Sequence, residues 1–456
     1  MCDADAARLR AAIMSEMQQA YDEGHSFLPT TEIYERVGGN KKKVRRALYE
    51  LLKNGRLQRD QGAEIYLPNV LKAEVDVAKH VKRLLAAGNM GIIVGPPGSG
   101  KTTRVRELVR DWRGPVFLTA VTGRAAARLA EASAVPAHTV ARLLGFDGEK
   151  YRLGEANRLP RGLVVLDEAS LLDVVTAAAF FSAIENGSSV WLVGDTDQLA
   201  SVGPGQVLRD LVSWGRIPTV RLHQVFRQTR GSKLTRVARL IRGARTLSVQ
   251  SDGEWRFVQA TSWDAVINLT VAEVARLATL GEQAQVLAPT RAMVHQLNML
   301  LQELLNATSK SAPAVEVDGE LIAVGDRVVV NRNDHRLGVW NGQLGQVAKV
   351  DKRAVSVAID GRVVEFATAT LGPDASGRTA LTLGYCLTIH RAQGSEFDHV
   401  VVAFPPSRMG TRNILYTALT RARRTCTLVS HPVTVARALA TTNRRYTKLL
   451  TRLRQP

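Results

Sequence analysis

The sequence predicts an α/β fold. Two parallel-sheet units are expected, the second interrupted by a small β-barrel, and a small helix-rich module precedes both. Three observations carry this. A strand, a glycine loop and a helix open the first unit at Gly91–Thr103, and further short apolar runs, each followed by a helical pattern, continue it. The same alternation restarts at Gln285–Ala288. Between Leu321 and Leu381 the chain becomes valine-rich. Asn341-Gly342 and Asp360-Gly361 turns there separate the short runs Arg327–Val330, Gly345–Val350, Ala354–Ile359 and Arg362–Ala367, the pattern of an all-β insert.

At 456 residues the chain exceeds one ordinary domain, and its 45% hydrophobic content suffices for several cores. The net charge of +19 calls for a polyanionic partner. A membrane partner would need a basic amphipathic helix or a lipid anchor, and neither stands out. The longest apolar run, Val174–Ile184, is too short to span a bilayer and reads as a buried helix. Cys2, Cys386 and Cys426 form no metal spacing and suit a reducing cytoplasm. The acidic N-terminus has no apolar leader core.

Residues 1–70 read as a module of three helices and a hairpin. Ala6–Tyr21 is helical, a second helix starts after Thr30-Thr31, and Lys41–Lys53 is the third. Val44, Ala47, Leu48, Leu51 and Leu52 share one side of it, opposite Lys41, Lys42, Lys43, Arg45 and Arg46. Leu57–Arg59 and Glu64–Leu67 flank a turn. This is a winged-helix pattern whose basic helix faces a phosphate backbone, the alternative being a solvated charged face.

The first α/β unit is organised by Gly95-Pro96-Pro97-Gly98-Ser99-Gly100-Lys101-Thr102-Thr103. Its spacing is that of a phosphate-binding loop. Glycines let backbone N–H groups curl around phosphate oxygens, and the following helix N-terminus adds favourable partial charge. Lys101 reaches the β- and γ-phosphates, and the Thr102 hydroxyl binds Mg²⁺. Val116–Ala120 is the next strand, followed by the small-residue segment Thr122-Gly123-Arg124, which can offer N–H groups to backbone phosphate. Pro136–Leu144, containing His138 and Thr139, reads as a helix, and 145–162 as a short β-hairpin. Leu163–Leu166 ends in Asp167-Glu168, where open α/β sheets do their chemistry. Asp167 would hold Mg²⁺ through water, and Glu168 would deprotonate the attacking water. Val190–Val193 leads to Gln198, whose amide could sense the γ-phosphate. In the second unit, Arg412–Arg424 reads as a helix with an arginine-rich end, Thr427–Ser430 as a last strand, and Val433–Leu453 as one basic helix.

Ten segments in order carry a resemblance. These are the phosphate loop, TGRAAARL at 122–129, LDEAS at 166–170, GDTDQL at 194–199, FRQ at 226–228, LAPTR at 287–291, GDRVVVNRND at 325–334, VWNGQLGQV at 339–347, LTIHRAQGSEF at 387–397 and LYTALTRAR at 415–423. Together they resemble the superfamily-1 DNA helicases of the RecD-like, 5′→3′ branch, in particular the long form. The resemblance implies two RecA-like P-loop domains. The first spans 71–225 with a strand-splitting pin at 145–161. The second spans 226–320 and 382–456 around a barrel insert at 321–381. It implies ATP and Mg²⁺ as cofactors and single-stranded DNA and its junctions with duplex as partner, for a cytoplasmic monomer. It makes Gln198 the γ-phosphate sensor, Arg227 and Arg421 arginine fingers, and Glu396 a ribose contact. Thr122, Gly123, Arg124, His138, Thr139, Thr388 and His390 match positions near the DNA strand. An ATP-driven translocase that remodels nucleoprotein without strand separation has the same motifs. The glutamine-bearing adenine motif is not evident, because Leu71–Lys79 contains no glutamine. Residues 1–70 resemble only the last part of the long-form N-terminal region.

Overall fold

The computed structural model describes residues 3–225, 232–245, 247, 251, 253–334, 336–375, 377–407, 410–442 and 445–455. The chain forms two compact units, one of residues 1–224 with 444–456 and one of residues 225–443.

The first unit begins with α1 (Asp3–Asp22), β1 (Phe27–Pro29), α2 (Thr30–Val37), α3 (Lys41–Lys53), β2 (Gln58–Arg59) and β3 (Glu64–Tyr66). The strands form an antiparallel sheet in the order β1-β3-β2. Ile13, Leu28, Ile33, Val44, Leu48, Leu51 and Leu57 fill the core beneath it. Asn40 caps α3 by accepting from the N–H groups of Lys42 and Lys43. From the sequence, α2 is expected to start after Thr30-Thr31, but the helix begins at Thr30 with Pro29 at the capping position, and Thr30 Oγ1 donates to Ala63 O at 2.8 Å. Pairing β1 with β3 has put that hydroxyl beside the hairpin.

A helix, α4 (Pro68–Ala87), leads into a six-stranded parallel sheet. Its strands are β4 (Met90–Val94), β5 (Val116–Ala120), β6 (Ala137–Thr139), β7 (Leu163–Asp167), β8 (Ser189–Gly194) and β9 (Thr219–Arg221), in the order β6-β5-β7-β8-β4-β9. Burial on both faces explains why β4 and β7 read as continuous apolar runs. Two expectations change here. Residues 137–139 join the sheet edge, leaving only the turn Val140–Leu143 helical. Residues 145–161 fold back as a hairpin only at its base, where Leu153 N donates to Leu144 O and Arg152 N to Gly145 O, without a regular two-strand ladder. Phe146–Tyr151 and Gly154–Asn157 are isolated bridges, and Asp147 Oδ1 takes the N–H groups of Glu149 and Lys150. The glycines at 145, 148 and 154 and Pro160 leave no alternating run long enough for an extended ladder.

The C-terminal segment belongs to this unit, although the sequence assigns it to the second. The expected single helix is two, Pro432–Ala440 and Leu449–Arg454. Thr441 and Thr442 lie between them, and β-branched residues favour extended backbone. From Arg445 onward the segment is a strap. Arg445 Nη1 donates to Gly203 O and Gly205 O, and Tyr446 stacks near His25 and Phe27. Thr447 Oγ1 and Lys448 N donate to Glu74 Oε1, and Arg452 pairs with Glu74 and Asp60. Glu74 is fully buried, and a buried carboxylate needs such partners.

The second unit holds another parallel sheet. Its strands are β10 (Trp255–Gln259), β11 (Ala284–Ala288), β19 (Cys386–Thr388), β20 (Phe397–Phe404) and β21 (Ala422–Ser430), in the order β10-β21-β20-β11-β19. Between β11 and β19 lie the pair β12 (Ala314–Val317) and β13 (Glu320–Ala323) and an antiparallel five-stranded sheet. That sheet contains β14 (Arg327–Val330), β15 (Leu344–Val350), β16 (Ala354–Ile359), β17 (Arg362–Ala367) and β18 (Leu381–Leu383), in the order β17-β16-β15-β14-β18. One core runs through both sheets, from Val286 and Leu297 to Val328 and Val357. The helix expected over 412–424 stops at Leu419. Arg421, Arg423 and Arg424 lie in a turn and at the start of β21, where flanking strands capture the backbone. Among the described residues no helix is long and apolar enough to cross a membrane.

Candidate functional site

Parallel pairing places the first unit's candidate residues along one sheet edge. Val94 pairs with Gly194, Leu166 with Leu192, Ala120 with Asp167, and Ala120 with Thr139. The phosphate loop, Asp195–Gln198, Asp167-Glu168, Thr122 and His138-Thr139 therefore all leave the C-terminal ends of neighbouring strands. That edge is where ligands sit in open α/β sheets.

The loop after β4 curls because Gly98 and Gly100 take left-handed backbone, φ +74° and +85°. Gly95 has no room for a side chain: a Cβ would stand 2.6 Å from Ser99 Oγ and 2.8 Å from Leu222 O. Lys101 opens α5 (Lys101–Asp111), and its Nζ donates to Gly95 O at 2.8 Å and Pro96 O at 3.0 Å. Thr102 and Thr103 follow in the first turn. Ser99 is buried, and its hydroxyl has no hydrogen-bond partner among the described residues. Nor has that of Ser170, two residues past Glu168.

Asp167 ends β7 and accepts the Glu168 N–H at 2.8 Å. Burial, and then the charge of Glu168, hold its carboxyl above the ordinary carboxylate range. Glu168 itself sits at φ +50°. A non-glycine residue there costs of order 1 kcal/mol and is held by its surroundings. Gln198 is buried and donates through Nε2 to Asp195 Oδ2 at 3.3 Å.

On the flank of the same edge, Thr122 Oγ1 accepts from Ala125 N, capping the helix that Gly123 and Arg124 open. Thr139 Oγ1 accepts from Arg142 N, and the His138 carbonyl accepts from Thr119 Oγ1. Burial, then Arg142, lower the His138 pKa, disfavouring the charged imidazolium. Each threonine keeps its own O–H to donate.

The second unit separates its candidates. Thr388 lies at the C-terminal end of β19, followed by His390, and Thr388 Oγ1 accepts from Arg391 N at 3.2 Å. Glu396 and Arg421 lie at the opposite edge, where β20 and β21 begin; Phe397 N donates to Arg421 O at 2.9 Å. Arg421 is 3% exposed, with its guanidinium donating to Thr417 O, Ser395 O and Thr420 Oγ1. Glu396 accepts from Arg423 Nε at 3.3 Å. Arg227 lies outside the described residues.

Sequence reasoning left out Thr290 and Arg291 as site residues. Thr290 caps its helix through Met293 N and follows β11 by two residues, as Thr122 follows β5. β11 and β19 are paired, Ala288 with Thr388, so Thr290 shares the edge of Thr388. The repeat of strand, threonine cap and arginine in both units was the available signal.

A parallel sheet with a phosphate loop after β4, a half-buried carboxylate two strands away at the end of β7 and a second parallel α/β unit define a P-loop nucleotide-binding class. Comparison with known proteins narrows this. Residues 76–262 match the family described as AAA domain, 297–360 the ATP-dependent RecD-like DNA helicase SH3 domain, and 383–429 the UvrD-like helicase C-terminal domain. The chain is 33% identical to the ATP-dependent RecD2 DNA helicase of Deinococcus radiodurans over 92% of its length, and spans 65% of that relative. It is 30% identical to the RecBCD enzyme subunit RecD of Mycobacterium tuberculosis, covering 80% of this chain and 71% of that one. The chain belongs to the RecD family. Among solved structures, a Bacteroides Pif1 helicase in complex with ADP-AlF3 and ssDNA aligns at 21% identity and TM-score 0.48, over 77% of this chain and 91% of that one.

Proposed function

We propose that this protein is an ATP-dependent DNA helicase that moves 5′→3′ on single-stranded DNA. The observation carrying this is the shared edge of the first sheet, which lines up Lys101, Asp167, Glu168 and Gln198 with Thr122, His138 and Thr139. A nucleotide-driven change at β7 is thus one or two strands from residues that would grip a DNA backbone.

In this reading the loop from Gly95 to Thr103 wraps the phosphates, with the Ser99 hydroxyl as one donor that now lacks a partner. Lys101 leaves its loop carbonyls for the β- and γ-phosphates. Thr102 and Asp167 form a hard oxygen donor set suited to Mg²⁺, which would neutralise phosphate charge. Glu168 takes the proton of the attacking water, Gln198 senses the γ-phosphate, and Arg227 and Arg421 supply charge to the transferring phosphoryl group. Glu396 contacts the ribose. Thr122, Gly123, Arg124, His138 and Thr139 hold backbone phosphates, and Thr388 and His390 do so in the second unit, joined by Thr290 and Arg291. The two parallel sheets act as RecA-like domains over 71–225 and over 226–320 with 382–443, the strap beyond joining the first. The antiparallel sheet forms an SH3-type barrel over 321–381, and residues 1–70 a winged-helix-like module. Cytoplasmic residence and action as a monomer complete the reading.

The test is single-strand-stimulated ATP hydrolysis by the intact chain beside Lys101→Ala and Glu168→Gln. Stimulation in the parent and its loss in both variants is expected. No stimulation, or full turnover by Glu168→Gln, overturns the reading. One observation favours the translocase without strand separation: the hairpin within 145–161 is minimal, closed by the Phe146–Tyr151 bridge with its rings 4.9 Å apart. Strand displacement by Phe146→Ala, compared with its ATP hydrolysis, separates the two.

A further inference from the structure

The N-terminal module is divided by charge. Over residues 5–40 there are three arginines against six acids, whereas over residues 41–59 there are eight Lys and Arg against Glu50 alone. The few acids near the basic half are already engaged. Glu50 pairs with Arg10 and Arg46, and Asp5 with Lys43. The hairpin acids Asp60 and Glu64 are taken by Arg452 and Lys448 of the C-terminal strap. Lys41, Lys42, Arg45, Lys53, Arg56 and Arg59 remain exposed and form no ion pair among the described residues.

Their arrangement is ordered. Lys42, Arg45, Arg46, Tyr49 and Lys53 fall at i, i+3, i+4, i+7 and i+11 of α3, one stripe opposite the buried Val44, Ala47, Leu48 and Leu51. Tyr49 is 65% exposed in the middle of that stripe. An open groove of about 730 Å³ runs beside it towards the hairpin, lined by Tyr34, Arg45, Tyr49, Leu52, Gln58 and Arg59.

We propose that this face is a second nucleic-acid site, separate from the motor edge and built for double-stranded DNA; it rests on the helicase reading only in taking DNA as the polyanion. From Lys42 to Lys53 the helix runs about 16 Å at about 1.5 Å per residue, matching a major groove about 12 Å wide once the side chains splay to both phosphate walls. The end cations then meet phosphates, while Arg45 and Tyr49 face base edges. Arg56 and Arg59 reach the neighbouring backbone from the hairpin. A single strand would call for successive stacking aromatics, and the stripe has one. The strap holds the hairpin through Asp60 and Glu64, so the site keeps a fixed place on the first unit.

The experiment is anisotropy titration of the intact chain, without nucleotide, against a blunt 16-base-pair duplex and a 16-nucleotide single strand at several salt concentrations. Variants are Tyr49→Ala and the triple Lys42→Ala/Arg45→Ala/Lys53→Ala, all at exposed positions. The triple variant should lose tenfold or more in duplex affinity. Its slope of log affinity against log salt should shrink by about 2 to 3. Tyr49→Ala should lose severalfold with an unchanged slope. Single-strand-stimulated ATP hydrolysis should persist in both. Duplex binding equal to the parent in the triple variant overturns the proposal. Equal losses for duplex and single strand overturn it too, marking the face as a single-strand site. If the parent shows no stimulated hydrolysis but the duplex losses appear, the motor reading fails and this site stands.

Discussion

Replacing Arg452 by methionine tests the joint between the strap and the first unit. Its side chain is 14% exposed and donates through Nε to Glu74 Oε2 at 3.2 Å, with Asp60 as second partner. Glu74 also accepts from Tyr66 Oη at 3.0 Å, Thr447 Oγ1 at 2.8 Å and Lys448 N at 3.1 Å. Removing the cationic partner of a buried pair costs about 3–5 kcal/mol. The three remaining donors keep the carboxylate solvated, so the low end, about 3 kcal/mol, is expected. For a unit of this size that lowers the melting temperature by about 6–12 °C. Calorimetry of the intact chain would read it in the transition of the first unit. The double variant Glu74→Met/Arg452→Met removes both charges and should recover at least half the loss. A shift below about 2 °C in the single variant, or no recovery in the double, would refute the view of this cluster as an interdependent buried pair.

Other outcomes follow from single sites. Gly95→Ala drives a Cβ to 2.6 Å from Ser99 Oγ, so nucleotide affinity measured by calorimetric titration should fall at least tenfold while melting changes little. Arg421→Ala and Arg421→Lys should both lower the hydrolysis rate about a thousandfold or more, by analogy with arginine fingers, read as kcat under saturating DNA. Burial raises the Asp210 pKa from 3.8 to about 7. A raised carboxyl binds its proton more tightly when folded, so stability falls as pH climbs from about 4 to 7 and is flat above. Asp210→Asn should therefore be more stable than the parent at pH 8, by up to about 4 kcal/mol at 1.36 kcal/mol per tenfold, and equal to it at pH 4 in thermal melts.

The parts legible in the sequence were those encoded locally. β4, β7 and β8 are buried on both faces and read as unbroken apolar runs, and the phosphate loop is set by glycines within its own span. The ordering of Asp167, Gln198 and Thr139 along one edge was implicit in parallel pairing. The rest depended on distant partners. Nothing near Arg452 announces Glu74 or Asp60, which lie more than 370 residues earlier, so the tail read as the end of the second unit. The helical pattern of Arg412–Arg424 gave way at Thr420 because β20 and β10 flank β21 and take up its backbone groups. His138 and Thr139 looked helical until β5 recruited them as an edge strand. The Arg421 guanidinium, placed at the arginine-rich end of a helix in the sequence reading, is buried among acceptors of its own unit.

The most direct measurement is ATP-driven strand displacement on two duplexes that differ only in bearing a 5′ or a 3′ single-stranded tail, with Glu168→Gln as control. The account expects displacement on the 5′-tailed duplex, little on the 3′-tailed one, and none by the variant. Preference for the 3′ tail, or displacement that survives Glu168→Gln, would contradict it.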